Sequence, residues 1–270
     1  MRKTFIYTLI LYLALHIAPV YAFAKRIVST APHITEILFA LDAGNSITGV
    51  TKYCNYPEEA KTKEIIGDVN INMEKIIKLK PDLIIADSSF SSDNISRLKK
   101  RGFSVLTVKC SDLTSFRACV KDIANAVGKE KKAETLLNDF DKKLSLLSFK
   151  AKFVGRKKRV FVEIWDSPLI TAGKGTLIDE LLDVSNAENI ALNINGYARV
   201  GAEFVLKENP DVILLTTSRP DNLPSTWKNV SAVKTGQVFY IDNDLFARPS
   251  FRMIKACENI FDLLYQGCNK

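Results

Sequence analysis

Histidine is almost missing from this chain: His16 and His33 are the only two among 270 residues. Zinc and manganese sites recruit several imidazoles, so no metal centre built from the protein's own side chains is expected. Nucleophile motifs are missing too. There is no Gly-x-Ser-x-Gly turn. Gly173-Lys174-Gly175-Thr176 looks like a phosphate loop, yet it lacks the upstream glycine, and no Ser or Thr follows Lys174 directly. An enzyme needs a nucleophile or base held by a partner. None is found, so no catalytic residue is assigned and the chain is not read as an enzyme.

Cysteine is also sparse, and no pair has metal-site spacing. The five are Cys54, Cys110, Cys119, Cys257 and Cys268. Their odd number leaves at least one thiol unpaired, or pairs it between chains. Cys110–Cys119 is the expected bridge, because a strand end and the helix after it could bring the two together. Cys257–Cys268 would need the tail to fold back past Gly267.

Beyond residue 24 no segment is apolar enough to span a bilayer. The start of the chain is different. Arg2 and Lys3 precede an apolar stretch from Phe5 to Val20, and Tyr21-Ala22-Phe23-Ala24 offers small residues for cleavage. Residues 1–24 therefore read as a secretory signal peptide. A membrane anchor is the competing reading, but His16 and Pro19 interrupt the apolar core. No cysteine stands near the cleavage site to carry a lipid. A periplasmic protein is expected. Its net charge of +8 is spread along lysine-rich helices such as 129–143. With no aromatic-plus-basic platform beside them, these read as solvated helix faces, and no nucleic-acid partner is expected.

What is present is a repeat. Residues 72–86 and 201–215 place Glu74 and Glu203 seven residues before Pro81-Asp82 and Pro210-Asp211. Lys78 and Lys207 hold the same place between them, and an apolar run follows each Pro-Asp. Such duplication implies two similar lobes, and a cleft between lobes is where small ligands bind. Alternating helical and β-rich runs predict an α/β fold with two Rossmann-like lobes. Between them, residues 113–153 carry Leu136, Leu137, Phe140, Leu144 and Leu147 at helical spacing with little glycine. The prediction is an N-terminal lobe at 25–127, a single long rigid linking helix at 128–153 and a C-terminal lobe at 154–270.

Ligands of parallel sheets sit beyond the carboxyl ends of strands. Candidates there are Pro32, His33, Tyr53 and Asp87 in the first lobe. In the second they are Trp165, Asp166, Leu169, Ile170, Tyr197, Asp244, Phe246 and Arg248. The mix of aromatic, apolar and charged groups suits a large, partly apolar ligand with polar edges. His33 is either a helix-start residue bonded nearby or an axial ligand to a metal carried by the guest. Arg248 either bridges to Asp244 or meets the ligand. Trp227 is read as packing.

Several stretches resemble class III periplasmic substrate-binding proteins of ABC importers. They include Arg26-Ile27-Val28-Ser29, Ala31 to Leu41, Gly49 to Pro57, Asn72-Met73-Glu74-Lys75-Ile76, Thr171 to Lys174, Ala187 to Ile190 and Asp244 to Arg248. The chain is most similar to the cobalamin-binding type; haem and siderophore binders share the fold. The resemblance implies a protein with no cofactor of its own, whose ligand is a metal-containing macrocycle or chelate. It implies an inner-membrane permease dimer as partner, with Glu74 and Glu203 docking on it, and a monomer in solution. It carries ligand contacts onto Tyr53, Ile170, Tyr197, Asp244 and Arg248. Ile170 stands for an aromatic and Tyr197 for a tryptophan, while Val69 and Asp87 fall at two further tryptophan positions. Ser185 stands where the family type has a cysteine paired with the equivalent of Cys257, so that disulfide is expected to be absent.

Overall fold

The computed structural model describes residues 23–88, 92–217, 220 and 223–266. The expected leader, apart from its last two residues, and Cys268 lie outside the described residues.

The first lobe runs β1 (Ile27–Ser29), α1 (Pro32–Ala40), β2 (Ile47–Val50), β3 (Glu64–Ile65), α2 (Met73–Leu79), β4 (Leu83–Asp87), α3 (Ser92–Lys100) and β5 (Val105–Val108). Its strands form one sheet in the order β3-β2-β1-β4-β5, with every pair parallel. Helices cover both faces, so β1 and β4 are buried along their whole length. Both are accordingly apolar up to their last residue, Ser29 and Asp87, instead of alternating.

Two helices follow, α4 (Leu113–Val127) and α5 (Glu130–Ala151). A capping box between Asp112 and Ser115 starts α4, and Gly128, at φ 67°, ends it in the left-handed region where a Cβ is costly. The 22 residues of α5 give a rod of about 33 Å. Ala133, Leu137, Phe140 and Leu144 form its buried stripe. Phe140 meets Phe116 of α4 at 5.2 Å and Phe251 at 6.0 Å between ring centroids. The linking helix is thus seated on both lobes, and one apolar cluster runs from Ile27 through Phe140 to Ile260.

The second lobe comprises β6 (Lys158–Asp166), β7 (Leu169–Ala172), α6 (Leu177–Val184), β8 (Ala187–Asn189), β9 (Tyr197–Arg199), α7 (Ala202–Glu208), β10 (Val212–Leu215), α8 (Ser231–Lys234), β11 (Val238–Tyr240), α9 (Asn243–Phe246) and α10 (Met253–Phe261). The sheet order is β11-β10-β6-β7-β9, with β8 beside the start of β6. Strands β7 and β9 run antiparallel to their neighbours. Sequence periodicity does not reveal this edge, because its short strands are half exposed and carry no continuous apolar run.

The repeat has a structural cause. Asp82 accepts the backbone N–H groups of Lys25 and Arg26, 3.0 Å each, at the entry to β1. Arg26 donates to the carbonyls of Leu79 and Lys80 that end α2. In the second lobe Asp211 accepts the N–H of Arg159 at 2.9 Å and both terminal nitrogens of Arg156 at 2.9 Å. Arg159 donates to the Glu208 carbonyl and, at 2.8 Å, to its carboxylate. Each lobe therefore ties the end of one helix to the start of its central strand with an Arg and a Pro-Asp. Lys80 and Asn209 close α2 and α7 at φ 45° and 46°, and Pro81 and Pro210 cannot extend them.

Burial pushes the Asp211 carboxyl up, but the Arg156 hydrogen bonds and the Arg159 amide outweigh it and hold the group below its ordinary 3.8. A depressed folded-state value adds stability above the unfolded value, and that stability is lost as pH falls through the folded one. Asp211→Asn is expected to cost about 1–3 kcal/mol near neutral pH and to narrow the difference between neutral and acid. Urea midpoints at about pH 7 and about pH 3 measure both effects.

Candidate functional site

The carboxyl ends of β1 to β4 open on a cavity of about 290 Å³. One wall comes from the first lobe: Thr30 to His33 after β1, Thr51 and Tyr53 after β2, Asp68, Val69 and Ile71 after β3, and Asp87 ending β4. Asn243, Asp244, Ala247 and Arg248 of the second lobe complete it. The cavity sits at the lower end of the usual pocket range of about 300–1,000 Å³. A large ligand would be gripped between walls and not engulfed.

Pro32 occupies the first turn of α1, where its missing N–H costs no hydrogen bond. His33 follows, and its Nε2 lies 3.0 Å from Oδ2 of Asp87. Both side chains are buried, Asp87 to 2% exposure. The imidazole edge therefore already faces a carboxylate. Tyr53 is the cavity's exposed aromatic, with the Lys52 ammonium 5.1 Å from its ring centre. Lys52 also bonds Asp68 at 2.9 Å, and that hydrogen bond holds the Asp68 carboxyl below its ordinary value.

Arg248 is the guanidinium among the lining residues, and it is heavily engaged. It lies 2.6 Å from Asp244, 3.2 Å from Glu36, 2.6 Å from Oδ1 of Asn55 and 3.1 Å from the Tyr53 carbonyl. Asn55 donates in turn to Asp244 at 2.8 Å. Arg252 reaches the same Glu36 Oε1 at 3.2 Å and stacks 4.1 Å from the Tyr56 ring centre. Glu36, whose side chain is 3% exposed, is thus a buried carboxylate of the first lobe shared by two guanidinia of the second. Sequence reading of the site missed Glu36, Asn55 and Arg252. Glu36 did leave a trace, as the lone acidic residue inside the apolar helix Ile34 to Leu41.

Phe246, expected in the cleft, is a correction. It is 2% exposed and belongs to the main core. Asp242 caps α9 by accepting the Asp244 N–H. The short helix turns Asp244 outward and Phe246 inward. Ile170 and Tyr197 do not line the cavity. Cross-strand pairing of Ile170 with Trp165 and with Arg199 puts these three on one face with Tyr197, two residues from Arg199. Trp165 and Tyr197 are about half exposed, so this face is a solvent-facing aromatic surface. Trp227 is fully buried. Its Nε1 donates to the Ala202 carbonyl at 3.0 Å, fixing the first turn of α7.

Glu74 and Glu203 are both exposed, each in the first turn of its helix. Helices α2 and α7 lead into β4 and β10, which run parallel to β1 and β6. The first turn of each helix therefore lies at the strands' carboxyl ends, on the cleft side of its lobe.

The expected Cys110–Cys119 bridge is not formed: both are free buried thiols. The turn after β5 does bring them together, and the hydrogen bond between them pushes the Cys110 thiol up. Cys110 also faces the Pro249 carbonyl at 3.8 Å. Burial pushes the Cys257 thiol up to about 12, and Ser185 beside it bonds the Cys257 carbonyl at 3.2 Å. Among the described residues no group of His, Cys, Asp and Glu could hold a metal ion, and no helix is long and apolar enough to cross a membrane.

Residues 27–245 match the family described as periplasmic binding protein. An ABC transporter substrate-binding lipoprotein of Bacillus subtilis is 38% identical over 253 residues, covering 89% of this chain and 80% of that protein. The periplasmic vitamin B12 binding protein of Vibrio cholerae superposes with a TM-score of 0.79 at 28% identity, covering 92% of this chain and 99% of the other. A possible iron-binding periplasmic solute-binding protein of Staphylococcus epidermidis superposes at 0.81 and 29% identity, covering 90% and 99%.

Glu36→Ala leaves two guanidinia facing each other at a buried joint. It is expected to cost about 3 kcal/mol of unfolding free energy. Removing Arg252 as well should recover part of that loss, because one unpaired charge then disappears. Equal midpoints for the single and double variants in denaturant titration would contradict a shared carboxylate.

Proposed function

This chain belongs to the periplasmic binding protein family, and we propose that it captures a corrinoid, cobalamin or a cobinamide-like relative, for an ABC importer. It is a binding protein and not an enzyme: its relatives are substrate-binding proteins. The ligand is its cargo.

The observation that carries the corrinoid reading is the charge of the cavity. Among the described residues, three carboxylates line it, Asp68, Asp87 and Asp244, against the one guanidinium of Arg248. That guanidinium is already held by Glu36, Asp244, Asn55 and the Tyr53 carbonyl. A dicarboxylate such as haem would meet this wall with no spare cation, and buried like charges repel by several kcal/mol. The carboxylates are paired as well, Asp68 with Lys52 and Asp244 with Arg248 and Asn55, but both are partly exposed. An ionised carboxylate can accept further N–H groups from a macrocycle edged with amides, while the Tyr53 ring meets its apolar body. The surface of Trp165, Ile170 and Tyr197 is the second wall on this reading. Similarity to a vitamin B12 binding protein over nearly the whole chain agrees.

Haem or a ferric siderophore is the second reading. The exposed Tyr53 phenol favours it as an iron ligand, and so does the likeness to a possible iron-binding protein. Absorption titration of the purified protein with cyanocobalamin, cobinamide and haemin distinguishes the two. Saturable corrinoid binding, weakened about tenfold by Tyr53→Ala, is expected. A Soret shift with haemin and no corrinoid binding overturns the proposal.

Glu74 and Glu203 dock on the permease pair in this reading. Each is exposed at a lobe tip, and the duplicated lobes suit a twofold partner. Glu74→Ala with Glu203→Ala is expected to abolish uptake in cells while leaving ligand titrations unchanged. Normal uptake by the double variant rejects the docking role. The signal peptide at 1–24 delivers the protein to the periplasm.

A further inference from the structure

The far end of α5 carries an apolar surface that no ligand or permease role explains. Phe149 is 60% exposed and Phe153 is 74% exposed, and the rings pack edge to face at 5.0 Å between centroids. Leu146, one turn before Phe149, is half exposed, and Val154 is partly exposed beside them. Isolated surface phenylalanines are ordinary, but these two form an exposed pair. Their surroundings are strongly basic. Residues 142–159 hold eight Lys or Arg and no Asp or Glu. Four of the eight are tied down: Lys143 to Asp139, Arg156 to Asp211, Lys157 to Asp183 and Arg159 to Glu208. Lys150 and Lys152, which flank the phenylalanines, are exposed and make no ion pair among the described residues.

We propose that this tip, Phe149 and Phe153 framed by Lys150 and Lys152, rests on an anionic phospholipid surface. Aromatic rings enter the headgroup boundary while lysine stems let the ammonium groups stay with the lipid phosphates. Each Lys near an anionic leaflet adds a modest, salt-screened attraction, which makes attachment reversible. Geometry restricts when this happens. Helix α5 feeds the start of β6, so the tip lies at the amino ends of the second lobe's strands. The cavity and Glu203 lie at the carboxyl ends. A molecule seated by its aromatic tip presents its cleft away from that bilayer, so this pose excludes permease docking on the same membrane.

The test is co-sedimentation of the chain lacking residues 1–24 with vesicles. One set is phosphatidylcholine alone; the other is equal parts phosphatidylcholine and phosphatidylglycerol. Binding to the mixed vesicles alone is expected, fading as salt rises. Both Phe149→Ser with Phe153→Ser and, separately, Lys150→Glu with Lys152→Glu should weaken it about tenfold or more. All four side chains are exposed, so both variants should keep the wild-type melting temperature and ligand titration. Equal binding to both vesicle types, or wild-type binding by either variant, overturns the proposal. So does a concentration-dependent dimer that the Phe149→Ser, Phe153→Ser variant abolishes, because the rings would then cover a second copy. Single-stranded RNA that binds with the same sensitivity to both variants likewise overturns it.

Discussion

One buried carboxylate holds the two lobes in register. Glu36 projects from α1 of the first lobe and meets Arg248 and Arg252 of the second, each at 3.2 Å. Charge-assisted hydrogen bonds of this kind contribute about 1.5–3 kcal/mol each when geometry is good. Removing the acceptor costs more, because both guanidinia then lose their buried partner. The same network sets the cavity floor. Arg248 also ties down the Tyr53 carbonyl, and Asn55 ties down Asp244. Tyr53, Asp244 and Arg248 therefore both line the cavity and take part in joining the lobes. Cavity shape and lobe angle cannot vary independently.

A second constraint acts within each lobe. The Arg26–Asp82 and Arg159–Asp211 arrangements fasten a seven-residue helix to the central strand at two points. Helices this short are marginal alone. Their first turns nevertheless carry Glu74 and Glu203, so the outward position of each glutamate depends on an anchor at the opposite end of its helix. In the second lobe Trp227 adds an anchor at the start, through the Ala202 carbonyl. The hydrogen bonds account for why Arg, Pro and Asp stand at matching places in both lobes.

What could be read from the sequence follows from the range of the interactions involved. The long helix α5 and the repeat helices are written in local periodicity and caps, and they stand where expected, within two residues or so. The parallel first sheet was legible because its buried strands run apolar almost to their ends. The antiparallel edge of β7 and β9 was not, since it depends on pairing between half-exposed strands. Strand-end reasoning brought Pro32, His33, Tyr53, Asp87, Asp244 and Arg248 to one cavity. It failed for Phe246, because a four-residue helix turns alternate side chains to opposite sides and nothing local says which. The Glu36 joint was out of reach for a related reason: its partners are more than 200 residues away in sequence. The aromatic tip was hidden by a different ambiguity. Leu146, Phe149 and Phe153 lie on the face opposite the buried stripe, which itself continues to Ala151. In a stretch with apolar residues on both faces, the sequence alone does not say which side is covered.

The seating of α5 decides how such a molecule gives up its cargo. A hinge of glycine and serine would let the lobes part freely, whereas α5 is buried along Ala133, Leu137, Phe140 and Leu144 against both. Wide opening would strip that stripe of its contacts and break the Glu36 joint, the joint alone costing about 3–5 kcal/mol. Small displacements cost far less. On the proposed reading, a permease that grips Glu74 and Glu203 acts at the ends of two long levers whose fulcrum is Glu36. A slight spreading of the tips lengthens the Arg248 contacts first, and Arg248 holds both Asp244 and the Tyr53 carbonyl. Release would then come from loosening the cavity wall, with the lobes remaining joined.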